Sequence, residues 1–305
     1  MQRKLHANWR ALYTEELLRG QFLIHSNLAA GIPSQLLSLI QGKDKPEASN
    51  EPDLLIDVRS YDYDGNEYED FGESDSQQTV VAVIPIKGTM YKYGSWYTYG
   101  AVDIAEIIIE AAGMDTVSAI VLDFDSGGGS TAAVPPLKEA VLYAKSQGKI
   151  IVGHGDMICS AAYWIASLCD HIFVNNILTS TFGSIGVMVS FADYKPYFEK
   201  MGVVFHEIYA DESDQKNKVF TEAEKGNYKL IKEEMLSPLA VAFQEEIKTN
   251  RAGKLVLTTD GILSGKTFTG VTNVEIGLAD SVGSLSMAIK YAANQSIAQE
   301  FTNNY

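Results

Sequence analysis

Cysteine is nearly absent from this chain. Cys159 and Cys169 are the only two in 305 residues, which leaves no disulfide framework and no cysteine-held metal cluster and makes a reducing compartment the default. Long apolar runs are missing as well: no window reaches the roughly 18 uncharged apolar residues that a bilayer crossing needs. The basic start at Met1–Lys4 is broken by Asn8, Arg10, Glu15, Glu16 and Arg19 before any apolar stretch develops, so no signal peptide is read. Positive charge is in short supply, with 24 Lys and Arg against 39 Asp and Glu and a net charge of −15. Such a surface repels phosphate backbones and anionic headgroups, which argues against nucleic acid and bare membrane as partners. The expectation is a soluble cytoplasmic protein with no membrane anchor, cofactor or metal.

What is present is globular. A hydrophobic content of 46% with 21% charged residues supports a large core in one large domain or two small ones. Residues 9–42 carry helical apolar spacing through Trp9, Leu12, Leu17, Leu18, Leu36, Leu37 and Ile40, so 1–42 is read as a helical amino-terminal extension. Residues 43–78 turn acidic and read as a solvated connector. From Thr79, short continuous apolar runs alternate with longer helical patterns, the signature of an α/β domain with buried parallel strands. The runs are 80–86, 119–124, 150–152, 172–174 and 203–209, and helical spacing fits 101–113, 134–146, 160–168, 193–201 and 221–249. This domain is taken to 292, with 293–305 as a tail.

Four segments could carry chemistry. In the first, the strand at Ile120 runs into Asp125-Ser-Gly-Gly-Gly-Ser130, where glycines at a strand-to-helix turn expose backbone N–H groups able to bind an anion. It lacks the Gly-Lys-Ser/Thr of a phosphate loop and the spacing of a dinucleotide fingerprint. In the second, Gly153-His-Gly-Asp-Met-Ile-Cys-Ser-Ala-Ala-Tyr163, Ser160 opens a helix. It is an ordinary N-cap or, with small residues after it, a reachable hydroxyl whose following N–H could stabilise an oxyanion. The third, Ser180-Thr-Phe-Gly-Ser-Ile-Gly-Val187, is by itself a tight turn. The fourth, from Tyr209 to Lys218, puts Lys216 and Lys218 on a polar loop. The dense aromatic loop Tyr91-Lys-Tyr-Gly-Ser-Trp-Tyr-Thr-Tyr99 is either loop packing, a groove wall or a subunit contact.

In order and approximate spacing, these segments resemble signal peptide peptidase A and its phage-encoded relatives. In that family a strand leads to Asn-Ser-Pro-Gly-Gly, the nucleophile lies in Gly-Asp-x-Ala-Ala-Ser-Gly-Gly-Tyr, a Thr-Gly-Ser-Ile-Gly-Val turn follows, and a downstream lysine is the base. Gly277-Leu-Ala-Asp-Ser-Val-Gly283 looks like the family's closing motif. Gly127 stands where the family has proline, and Ala161-Ala162 where it has Gly-Gly.

The resemblance implies a ClpP/crotonase-like superhelix of β-β-α units with a mainly parallel sheet. It also implies a serine endopeptidase that hydrolyses peptide bonds through an acyl-enzyme. Ser160 would be the nucleophile and Lys216, preferred over Lys218, its base. Gly129 and Ala161 would supply the oxyanion N–H groups, with Ser184 and Gly128 supporting. A polypeptide substrate and a homo-oligomeric ring come with it. The absent anchor and the Lys-Asn pair favour a phage role, cutting scaffold and capsid proteins in a prohead, over bacterial clearance of signal-peptide remnants. Two other readings stand beside these: a catalytically silent assembly protein of the same fold, and a crotonase-like CoA enzyme. A Ser-His-Asp triad through His171 or His154 is the competing chemistry.

Overall fold

The computed structural model of the protein describes residues 9–19, 21–24, 58–68, 79–95, 98–191, 193 and 195–303. Alternating side chains on the central strands decide the architecture. In β4 (Val80–Lys87) and β5 (Val117–Ser126), Val80, Ala82, Ile84, Ile86, Ile120, Leu122 and Phe124 face one core. There they meet helices α2 (Ala101–Gly113) and α3 (Val134–Ser146). Val81, Val83, Ala119 and Val121 face the other core, covered by Ala288, Ile289, Ala292 and Ala293 of the last helix, α9 (Leu285–Asn303). Strands buried on both faces read as continuous apolar runs, and each buried Val, Ile, Leu or Phe among them contributes about 1.5–3 kcal/mol.

β4 pairs in parallel with β5, and β5 with β7 (Ile150–Cys159). β7 then divides. Val152–Gly155 pair with β8 (His171–Val174), while Met157–Cys159 pair with β9 (Thr181–Gly183), both in parallel. β11 (Thr267–Thr269) adds antiparallel to β9, and β12 (Ser281–Val282) adds parallel to β8. The α/β class with a mainly parallel sheet is therefore the one expected. α2 and α3 fall on the residues their apolar spacing marks, 101–113 and 134–146.

The chain departs from the sequence reading in five places. The helix expected over 221–249 breaks at 225–228, after the helix Lys218–Glu224. Within 43–78, β2 (Arg59–Tyr61) and β3 (Glu67–Tyr68) form a hairpin on the edge of β4. Its turn is built by Asp62, which accepts from Asn66 N at 2.8 Å, and by Gly65 at φ 83°. That is Asp-Gly turn chemistry inside an acidic run. Among the described residues of the amino-terminal segment, Trp9–Arg19 form the expected helix, α1, but Gln21–Ile24 form a strand, β1; Leu36, Leu37 and Ile40 lie outside the described residues. Residues 203–209 form no strand, and Val204 and Ile208 are 73% and 93% exposed. An extended apolar run becomes a strand only against a partner edge, and none lies beside it among the described residues. At the carboxyl end α9 crosses the expected boundary at 292 unbroken, because Ala292 and Ala293 are needed to cover the sheet.

The closing motif has a structural task. After helix α7 (Ser237–Asn250), Arg251 is 1% exposed and donates to Gly277 O through Nε and Nη2, at 3.1 and 2.8 Å, and to both carboxylate oxygens of Asp280. Asp280 also accepts from Ile172 N and Lys254 Nζ, which ties the carboxyl-terminal segment to β8. Burial by itself would raise the Asp280 carboxyl, but its bonds to Arg251 and Lys254 outweigh that and hold it below the usual range. Replacing Arg251 with Met should cost about 3 kcal/mol in urea denaturation, since it strands a buried carboxylate. A loss below about 1 kcal/mol would mean that Lys254 alone suffices. Because the folded carboxyl titrates below its unfolded value near 3.9, its contribution is complete above about pH 4 and fades as pH falls through the folded value. Acid unfolding of the Arg251→Met protein should therefore show a shallower pH dependence than that of the parent.

Candidate active site

The site begins with one extra residue. In the β5–β7 ladder Phe124 pairs with Gly155 and Asp125 with Met157, so Asp156 bulges out unpaired. A side chain at Gly155 would sit 2.4 Å from Phe124 O, so only glycine lets the strands close there. The bulge turns the Asp156 carboxylate outward to a loop. It accepts from Asn175 Nδ2 at 2.9 Å, Asn176 Nδ2 at 3.0 Å and Ser180 Oγ at 2.8 Å. Desolvation works against the charged carboxylate, but these three donors outweigh it and lower its pKa. Asn273 holds the same loop from the other side, donating to Ser180 O at 3.2 Å. The loop therefore delivers β9 beside the end of β7.

Ser160 stands at that end, between β7 and α4 (Ala161–Ala166), with φ 55° and ψ −119°. This region suits glycine and costs a side-chain-bearing residue about 1–3 kcal/mol. The hydroxyl makes no capping bond to the helix, so the N-cap reading fails. Instead Ser160 N donates to Gly183 O at 2.8 Å and Oγ lies 3.5 Å from Gly186 O. As the first helical residue, Ala161 keeps an N–H with no intrahelical acceptor. Ser184, next along, is also left-handed at φ 53° and donates its N–H to Lys266 O at 2.9 Å. Ser160 is completely buried. The neighbouring thiol of Cys159 is pushed up to about 12 by burial and stays protonated at neutral pH.

The glycine turn lies against this helix start. Ser126 Oγ donates to Gly88 O at 2.6 Å and accepts from Gly128 N at 3.2 Å, and Gly128 takes φ 93°. The following strand, β6 (Gly128–Ser130), runs beside Met90: Met90 N donates to Gly128 O at 2.9 Å and Ser130 N to Met90 O at 2.8 Å. Peptide groups alternate sides along a strand, so the N–H and C=O of Gly129 point away from Met90. A methyl at Gly129 would come within 1.9 Å of Met90 O.

Both histidines are engaged elsewhere. His154 Nδ1 pairs with Asp123 Oδ1 at 2.8 Å and its Nε2 lies 3.2 Å from Asn175 Oδ1, while His171 Nε2 lies 2.7 Å from Ser281 Oγ. None of these three contacts involves Ser160. Lys216 lies in the exposed turn 214–217 before α6 (Lys218–Glu224), and its neighbour Lys218 reaches Gln215 Oε1 at 3.2 Å. In this single chain no hydrogen bond joins Lys216 to Ser160 among the described residues. Asp156, Asn175 and Asn176, which build the approach to Ser160, escaped the sequence reading. The only signals were the Gly-Asp pair and the doubled asparagine. The aromatic loop packs partly against α1, with the Tyr13 and Tyr91 rings 4.7 Å apart and edge-on. Trp96 and Tyr97 lie outside the described residues. Among the described residues, no helix is long and apolar enough to cross a membrane.

Protease 4 of Haemophilus influenzae is 27% identical over 217 residues, covering 70% of this chain. The head-tail preconnector protein GP5 of Enterobacteria phage P21 is 27% identical over 220 residues, also 70% of this chain. The chain matches 34% and 42% of the lengths of these two relatives. A solved mutant of the 1510-N membrane-bound stomatin-specific protease superposes with a TM-score of 0.44 at 14% identity, over 68% of this chain and 80% of that one. The sequence profile of peptidase family S49 matches residues 143–299, which run from α3 through the Ser160 turn to α9. The chain belongs to peptidase family S49.

Proposed function

We propose that the chain is a serine endopeptidase in which Ser160 attacks a peptide carbonyl, Lys216 takes its proton, and the N–H groups of Gly129 and Ala161 stabilise the tetrahedral oxyanion. The reading rests on one observation above the others: a serine held at φ 55° with its hydroxyl excluded from helix capping. Backbone strain of this kind is kept where it aims a reacting group. Attack forms an ester to Ser160 Oγ while the leaving amine takes the proton, and water then releases the acid. Positioned proton transfer contributes about 10²–10⁴-fold, and one oxyanion donor a comparable factor. Ser184 and Gly128 support the turn on either side.

Lys216 has to be brought to Ser160 from its exposed turn. The segment just before it exposes Val204, Phe205 and Ile208, an apolar flank that a second copy of the chain would cover in a homo-oligomeric ring. We therefore take the dyad to be completed on assembly, where removal from water favours the neutral amine. The phage relative, a head-tail preconnector protein, favours cleavage of capsid or scaffold polypeptides in a prohead over clearance of signal-peptide remnants. The exposure of Lys216 in the single chain is what favours the alternative of a catalytically silent assembly protein. Fluorophosphonate labelling of Ser160 separates the two.

Ser160→Ala and Lys216→Ala should each lower peptide hydrolysis by at least about 10³-fold, whereas His171→Ala should stay within about 3-fold of the parent. A dead His171 variant beside an active Lys216 variant would replace the dyad with a triad. If the base crosses between subunits, mixing the two inactive variants and letting them reassemble at random should restore about a quarter of the sites. No recovery would place the base within one chain. Ser160→Gly should relieve the turn, raising unfolding free energy by about 1 kcal/mol while abolishing hydrolysis, and Ser160→Ala should keep the strain. Equal stability of the two in urea denaturation would show that the turn stores no strain.

A further inference from the structure

The last motif without a role is the amino-terminal strand. β1 (Gln21–Ile24) is inserted between β6 and β10 (Met188–Val189), antiparallel to both. Its register sets Leu23 opposite Gly129, Phe22 opposite Ser130 and Met188, and Gln21 opposite Val189. The N–H and C=O of Gly129 point away from Met90 and thus toward β1. In an antiparallel ladder the facing residues that share such a side exchange both bonds, so the carbonyl of Leu23 lies against the Gly129 N–H. This is the N–H that the peptidase reading gives to the oxyanion.

Two further observations agree. Ser160, which must meet a polypeptide, is completely buried in this chain. β1 is also tethered by α1, which is docked by more than hydrophobic contact. Glu16 is buried and accepts from Lys92 N at 2.7 Å and Tyr93 N at 3.4 Å, and Tyr13 packs edge-on against Tyr91. An extended peptide adds to open strand edges through main-chain bonds, and the two edges flanking this slot are β6, which carries the oxyanion donor, and β10, which follows the Ser184 turn.

We infer that residues 21–24 occupy the peptide-substrate groove of their own chain, with α1 as the anchor that keeps them there. The N-terminal segment is thus a built-in competitor, and an outside polypeptide enters only when β1 leaves. Its own sequence reports the class of peptide that fits, an extended uncharged run such as Gln-Phe-Leu-Ile. The inference rests on the assignment of Gly129 and Ser160 above, so its test is read by binding and does not require turnover.

The full chain carrying Ser160→Ala is compared with the same chain carrying Leu23→Pro in addition, which removes the N–H that Leu23 gives to the ladder. The probe is a fluorescein-labelled peptide of this chain's residues 18–28, followed by anisotropy. A tethered strand competes at millimolar effective concentration, so the proline variant should bind the probe at least about 10-fold more tightly. Deuterium uptake at 128–130 should be faster in that variant and slow again when the probe is added. Glu16→Gln, which loosens the anchor and leaves the strand sequence intact, should move both readouts in the same direction; it stands in if Leu23→Pro misfolds by circular dichroism. Equal probe binding and equal uptake in parent and folded variants would overturn the inference. If the variants open the groove and yet, with Ser160 restored, never react with a fluorophosphonate, the occupancy stands and the peptidase assignment falls.

Discussion

The bulge at Asp156 is the constraint on which the rest of the site depends. A continuous β7 could pair with one neighbour along its whole length. The extra residue lets its first half keep β8 while its second half takes β9. Without that division the Gly183–Gly186 turn would not lie beside Ser160. The exposed carboxylate then holds the 175–180 loop by three donors, and glycine at 155 avoids a clash with Phe124 O that any side chain there would make. Strain at Ser160 follows from the same geometry, because a strand that ends under β9 must turn sharply to start α4.

Around that point the fold supplies rigidity from two cores. One core joins α2, α3 and α4 to one face of the sheet; the other joins α9 to the opposite face. The buried Arg251–Asp280 pair fastens the carboxyl-terminal segment to β8. Its polar groups are satisfied several times over, as a buried charge requires. By contrast, 203–218 is almost wholly exposed. The candidate nucleophile and the candidate base thus differ in kind: one is fixed by the core, and the other sits on an exposed turn.

Much of this was legible in the sequence where the signal is local. Ala101–Gly113 and Val134–Ser146 are helices because their apolar residues recur on one face, and β4 and β5 are strands because alternate residues enter two cores. The glycine turn and Ser160 could be picked out because sharp turns restrict residue type. Asp156, Asn175 and Asn176 could not, since their partnership spans about twenty residues and depends on a bulge. The hairpin at 59–68 was hidden by charge density, although its turn residues were in view.

The sequence by itself determined the α/β class, the order of the motifs and the position of a serine at a strand-to-helix turn, because each follows from periodicity or from which residues can make a tight turn. Only the tertiary structure decided that the hydroxyl does not cap its helix, that His154 and His171 have other partners, and that residues 21–24 form a strand beside Gly129. Those outcomes depend on which unpaired edge or polar group a segment meets in space. Segments alike in composition met different ends: Phe22, Leu23 and Ile24 found two open edges and became a strand, while 203–209 found none and remained exposed.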